Sequence, residues 1–174
     1  MYNAGDYIQQ LTNGLCRVEK VTTLDFAKTD KDRLYYILTP LDNPKTTVFI
    51  PIEKAEGTAR PVMNTDEALA LIDDMPDIEA LQIPKERERE ICYKKALLSL
   101  DSHSWVSLIK TLYQRRQDRL SQGKKGISME DQYYRKVEDR LYGEIALVLD
   151  KDKEEMERFI FEKIEGCETH GNKN

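Results

Sequence analysis

Thr58-Ala59-Arg60-Pro61-Val62-Met63-Asn64-Thr65-Asp66-Glu67-Ala68-Leu69-Ala70-Leu71-Ile72 is the stretch in which the hydrophobic pattern changes period. Up to Val62 the apolar residues come in short runs that alternate or are β-branched, the signature of strands. From Ala68 onward, with Leu71 and Ile72, they recur at helical spacing. Asn64 with Glu67 supplies an N-cap and its N3 partner, so a helix is expected to open here. The border near residue 63 therefore separates strands from helices and defines an α+β chain of two domains.

Toward the N-terminus, the runs are Tyr7-Ile8, Leu15-Cys16-Arg17-Val18, Leu34-Tyr35-Tyr36-Ile37-Leu38 and Thr46-Thr47-Val48-Phe49-Ile50. Turn signals separate them: Thr12-Asn13-Gly14, Lys28-Thr29-Asp30-Lys31-Asp32 and Leu41-Asp42-Asn43-Pro44-Lys45. Residues 1–63 thus read as a small antiparallel β-barrel or strongly bent sheet. Pro51 has no N–H for a ladder and ends the last run or places it at an edge.

Toward the C-terminus, residues 64–166 read as an all-α bundle of about five helices. Pro76 stops the first. The second starts after Pro84 with Ile91, Ala96, Leu97 and Leu100 inward, and the third covers about residues 104–120 with Trp105, Leu108, Ile109 and Leu112 on one face. At this spacing Trp105 reads as a core residue in preference to a stacking platform. Ser128 and Asp131 resemble a capping box for a fourth helix carrying Tyr134, Val137, Leu141, Ile145 and Val148. After Asp150-Lys151-Asp152, a last short helix carries Met156, Phe159, Ile160 and Ile164, and residues 167–174 read as a frayed tail.

The chain has 174 residues, of which 40% are hydrophobic and 34% charged, enough to bury a core beneath a strongly charged surface. No stretch approaches the roughly 20 apolar residues that span a bilayer. The segment MYNAGDYIQQ has neither a basic nor an apolar leader region, which argues against a secretory signal. Cys16, Cys92 and Cys167 are scattered and odd in number, fitting reduced thiols in the cytoplasm rather than a disulfide framework. With only His103 and His170 there is no zinc-ligand cluster and no motif for Cys–His catalysis. Gly123-Lys124-Lys125-Gly126 lacks P-loop spacing, and Asp25, Asp30 and Asp32 lack that of a calcium loop. No enzymatic chemistry, metal, cofactor or small-molecule substrate is expected.

The formal net charge of -5 argues against nucleic acid until it is divided by segment. Residues 1–63 hold 8 acids and 8 bases, and residues 64–84 hold 6 acids and no base. Residues 85–136 hold 13 bases against 7 acids, whereas residues 137–174 hold 6 against 11. The basic surplus is thus confined to the second and third helices, their loop and the start of the fourth. Arg87, Arg89, Lys94, Lys95, Arg115, Arg116, Arg119, Lys124 and Lys125 form the candidate DNA-contacting set, neutralising phosphates with a salt-dependent affinity. The competing reading is a solvated face whose Glu and Lys/Arg side chains pair at i,i+4.

In the strand region, residues 46–50 are a candidate edge strand on which another protein can add a strand. Val48 and Ile50 are expected to face inward and Phe49 outward, as an anchor for a partner or folded over a neighbouring loop.

Gly5-Asp6 before the first strand, Gly14 followed by Val18 and Val21, Tyr35-Tyr36 with Leu38, Val48-Phe49-Ile50-Pro51 and Thr58-Ala59-Arg60-Pro61-Val62-Met63 occur in an order that resembles the CarD/CdnL family of bacterial transcription regulators. Tyr93-Lys94 with Leu97 and Leu100, the run from Val106 to Arg116, Ile127-Ser128 and Glu144-Ile145-Ala146 extend the resemblance over residues 3–165. It implies a Tudor-like first domain, similar to the RNA polymerase-interacting domain of the transcription-repair coupling factor. That domain would dock on the polymerase β subunit by edge-strand pairing through Leu24, Thr46, Thr47, Val48, Phe49 and Ile50. The helical domain would meet promoter DNA weakly, in a polymerase-dependent way, and stabilise the open complex, with Lys94 as a backbone contact. A cytoplasmic protein associated with the nucleoid through polymerase is implied.

Two positions depart from the family pattern. Arg89 stands where better-known members carry a tryptophan wedge for the minor groove, leaving only an electrostatic way into a narrow groove. Phe49 stands where the family tends to have a basic residue, making that contact more apolar. The alternative to this reading is a protein-interaction module whose helical domain never touches DNA.

Overall fold

A computed structural model describes residues 1–25 and 31–168, with side chains through residue 163. The side chains of Ile164 and Cys167, and His170, lie outside the described residues, as do Lys28-Thr29-Asp30 and the end of the tail. The chain is α+β and clusters into two compact units, Met1–Val62 and Met63–Asn174.

The first unit contains β1 (Tyr7–Gln10), β2 (Gly14–Thr23), β3 (Leu34–Pro40), β4 (Val48–Pro51), a single helical turn α1 (Ile52–Ala55) and β5 (Ala59–Pro61). All pairings are antiparallel, in the order β4-β3-β2-β1-β5. Among the described residues the sheet therefore has two edges and is not closed, which corrects the barrel alternative. Closure would require β4 to pair with β5, yet α1 and the turn at Gly57 (φ 78°) intervene, and β5 has only three residues to offer. The register of β2 against β3 slips between Val18 and Lys20, a bulge that sharpens the local twist.

Ile8, Cys16, Val18, Tyr36, Leu38 and Ala55 form the buried centre of this unit. The strand members come from alternate positions of neighbouring strands because side chains point to opposite faces at period two, and Ala55 is added from α1. Gln10 is buried at the tight β1–β2 turn, where its Oε1 accepts from the N–H of Thr12 (2.9 Å) and of Asn13 (2.7 Å). Gly14 then takes φ 70°, a conformation that residues with a Cβ rarely adopt.

The second unit contains α2 (Thr65–Asp74), α3 (Arg89–Leu98), α4 (Ser102–Ser121), α5 (Ser128–Leu149) and α6 (Lys153–Glu168), with single 3-10 turns at Met75–Asp77 and Glu86–Glu88. The capping box at the start of α2 forms in full: Glu67 N–H donates to Asn64 Oδ1 and Asn64 N–H to Glu67 Oε2, both at 2.8 Å. At α4, Asp101 accepts from Ser104 N–H at 3.0 Å. The expected box at Ser128 is absent: Ile127 takes the N-cap position and no side chain caps the helix.

Trp105, Leu108, Ile109 and Leu112 are buried in the core with Ala68, Leu71, Ile72, Val137, Leu141 and Ile145. Trp105 is completely buried and its Nε1–H donates to Leu97 O at 3.0 Å, so it belongs to the core. That carbonyl lies in the last turn of α3, where the helix offers it no N–H partner. Two expected inward residues point out instead. Ile91 is 69% exposed and Phe159 44% exposed. On α3 the buried stripe is Tyr93, Ala96 and Leu97, and Ile91 falls on the opposite side of the helix.

Candidate functional site

The edge strand β4 pairs with β3 through Leu38↔Val48, Ile37↔Phe49, Tyr36↔Ile50 and Tyr35↔Pro51. Val48 and Ile50 are half-buried and pack on the sheet's core cluster, whereas Phe49 points to the other face and is 44% exposed. The alternation expected for residues 48–50 is present. Thr46 and Thr47, however, precede the strand and are exposed; Thr46 N–H closes a turn onto Asn43 O at 3.0 Å. The strand starts later than expected because Asn43-Pro44-Lys45 uses its backbone in that turn, leaving Val48 as the first residue to join the ladder. Leu24 follows β2 and is half-buried. Among the described residues β4 is a terminal strand of the sheet, a position at which another strand can add.

In the helical unit, the nine basic residues separate by what their side chains do. Arg115 Nε donates to Glu130 at 2.7 Å, and its two Nη groups form a fork on Glu86, at 2.5 and 3.2 Å. Glu130, only 5% exposed, also accepts from Tyr93 O–H at 2.9 Å and lies 3.6 Å from Arg89 Nε. Arg89 in turn donates through Nη1 to Glu86 O at 3.2 Å. These contacts tie α3, α4, α5 and the 3-10 turn before α3 to one buried carboxylate. Hydrogen bonding from Arg115 holds the Glu86 carboxyl below its ordinary range. Burial, and then the bond to Glu130, push the Tyr93 hydroxyl above its own.

Arg89 and Arg115 are therefore spent mainly on this internal network. Arg89 lies one turn before the fully buried Tyr93 and on the same inward side, so it is not presented as a groove-entering side chain. Arg119 Nε donates to Lys125 O at 2.9 Å, holding the α4–α5 loop, and Arg116 lies 3.9 Å from Asp131. Arg87, Lys94, Lys95, Lys124 and Lys125 are exposed. The i,i+4 pairing weighed for the charged start of α3 does not form; the local pairs are i,i+3, Lys85 with Glu88 (3.9 Å) and Arg89 with Glu86 (3.8 Å).

No family model matches the chain, and no curated protein gives a significant match.

On α3, Ile91, Lys94 and Lys95 share one outward face at spacings of three and four residues, and the exposed Arg87 stands on the 3-10 turn just before the helix. Periodicity alone assigns Ile91 to the interior, and the residues that organise the network, Glu86, Tyr93 and Glu130, carry no motif. The available signal was the spacing of Arg89 and Tyr93, four apart on one helix face. Among the described residues, no three His, Cys, Asp or Glu side chains come together as metal ligands. No helix among them is long and apolar enough to cross a membrane. The described residues thus present a terminal strand in one unit and an exposed cationic helix face in the other.

Proposed function

We propose that this chain is a CarD/CdnL-like transcription regulator that docks on the RNA polymerase β subunit by edge-strand pairing and touches promoter DNA through its basic helical face. The observation that carries the reading is β4. It is a terminal strand ended by Pro51, half-packed through Val48 and Ile50, and it shows Phe49 on its outward face. Main-chain pairing along such an edge supplies affinity, and Phe49 supplies an apolar anchor. The order of motifs along the sequence supports the polymerase as partner. Arg87, Lys94, Lys95, Lys124 and Lys125 support a phosphate contact limited to a few charges, which makes DNA binding weak unless the polymerase holds it in place.

Phe49→Asp should weaken capture of an isolated polymerase β-lobe fragment by at least about tenfold, by placing a charge in the buried centre of the contact. Circular dichroism of the variant should be unchanged. Capture at wild-type affinity would locate the docking surface elsewhere. The engagement of Arg89 and Arg115 inside the helical unit favours a second reading, a polymerase-binding module without DNA contact. Open-complex lifetime at low salt separates the two: lengthening by the wild type and loss of that effect in Lys94→Glu/Lys95→Glu supports DNA contact. A lifetime unchanged by the wild type supports the module.

A further inference from the structure

Glu86 occupies an unusual position for an acid in a basic region. Its side chain is 65% exposed and sits on a three-residue 3-10 turn with no side-chain cap, and its two carboxylate oxygens accept from the two Nη groups of Arg115. The geometry there is the bidentate fork by which arginine takes a carboxylate or a phosphate alike. Behind it, Arg115 Nε is fixed by Glu130, so the guanidinium keeps its orientation whatever occupies its outer edge. Arg89 Nε stands 3.8 Å from the same Glu86 carboxylate. Lys85 and Arg87, both exposed, flank Glu86 in the chain.

The charges of this cluster balance, with two guanidinium groups against the carboxylates of Glu86 and Glu130. A phosphodiester carries one negative charge, the same as the carboxylate it would replace. Exchange would leave the cluster neutral and return Glu86 to water, and moving one uncapped 3-10 turn is a small local rearrangement. The Glu86 side of the fork is 65% exposed, so water and an incoming anion can compete for it from outside.

We infer that Arg115, with Arg89 beside it, is a nucleic-acid phosphodiester site that Glu86 holds closed as an internal competitor. This rests on the DNA-contacting reading given above and deepens it. Opening the site would add one fixed phosphate contact to those made by Arg87, Lys94 and Lys95.

The test is binding of the full chain to a short duplex DNA, followed by fluorescence anisotropy across a salt titration. Glu86→Gln should bind about five- to tenfold more tightly at low salt, with the salt slope steeper by about one ion. Glu88→Gln removes the same charge two residues away and should tighten binding no more than about twofold, by general electrostatics alone. Adding Arg115→Lys to Glu86→Gln keeps the positive charge but loses the fork, and should remove most of the gain. Equal gains from Glu86→Gln and Glu88→Gln would overturn the inference. So would no gain from Glu86→Gln in a protein whose binding is still weakened by Lys94→Glu, and in that case the DNA reading itself survives. Absence of duplex binding by every variant at low salt would overturn both.

Discussion

The two units bury polar groups of different kinds, and the reason lies in how their backbones are satisfied. In the sheet unit the ladders pair most of the backbone, and among the described residues the buried polar side chains are the amides Gln9 and Gln10. Gln10 serves a turn whose N–H groups lie near water. In the helical unit the buried set includes the charged Lys110, Glu130, Arg140 and Glu144. Three of these reach backbone groups where helices begin, end or give way to irregular chain. Glu144 accepts from Met63 N–H at 2.8 Å, just before the cap of α2. Lys110 donates to Ile78 O at 2.5 Å and Pro76 O at 3.3 Å, and Arg140 donates to Leu97 O at 3.4 Å at the end of α3. A helix satisfies its own middle but leaves its ends open, so a helical unit with interior chain ends needs long polar side chains to close them. Glu130 differs from these three, because its partners are side chains.

That contrast can be broken by substitution. The largest effect is expected for Glu130→Ala, which leaves Arg89 and Arg115 facing the buried Tyr93 hydroxyl without their shared carboxylate. Loss of about 3 kcal/mol in urea unfolding is expected, as for the removal of one member of a buried ion pair. Hydrogen exchange should show the loss in α3, α4 and α5. Gln10→Ala in the sheet unit should cost less, about 1 kcal/mol, because the Thr12 and Asn13 amides it releases can turn to water. A loss for Gln10→Ala equal to that for Glu130→Ala would show that the two units do not differ in this way.

A finer expectation concerns pH. Burial, and next the neighbouring Glu157, push the Glu138 carboxyl up from 4.5 to about 7; Asp139 adds to the rise, while Tyr134 and Lys153 oppose it. A raised carboxyl pKa means that the folded state keeps a proton the unfolded state has lost. The contribution to stability is complete below about pH 4.5 and is lost as pH rises through about 7. Thermal unfolding should therefore show Tm falling over that window, and Glu138→Gln should flatten the fall. An identical pH profile in the variant would assign the titration to another group.

Much of the architecture was legible locally. The change from period two to helical spacing near Met63, the turn at Asn13-Gly14, the capping pair Asn64 and Glu67, and the inward face of α4 depend on residues a few positions apart. The start of β4 was less legible, since Thr46 and Thr47 have strand propensity that the Asn43 turn overrides. Sheet closure was not legible at all, because it depends on whether β4 meets β5, residues with no fixed sequence relation.

By itself the sequence determined an α+β chain, with strands before helices and a basic surplus confined to one stretch. Only the tertiary structure decided which charges of that stretch face solvent. Helical spacing orders side chains around a helix but does not say which neighbour each will meet. Arg89 and Arg115 meet a buried glutamate from a third helix, while Lys94 and Lys95 meet water. An ion's worth depends on the solvent and partners within a few ångströms, and those are assembled only when α3, α4 and α5 pack.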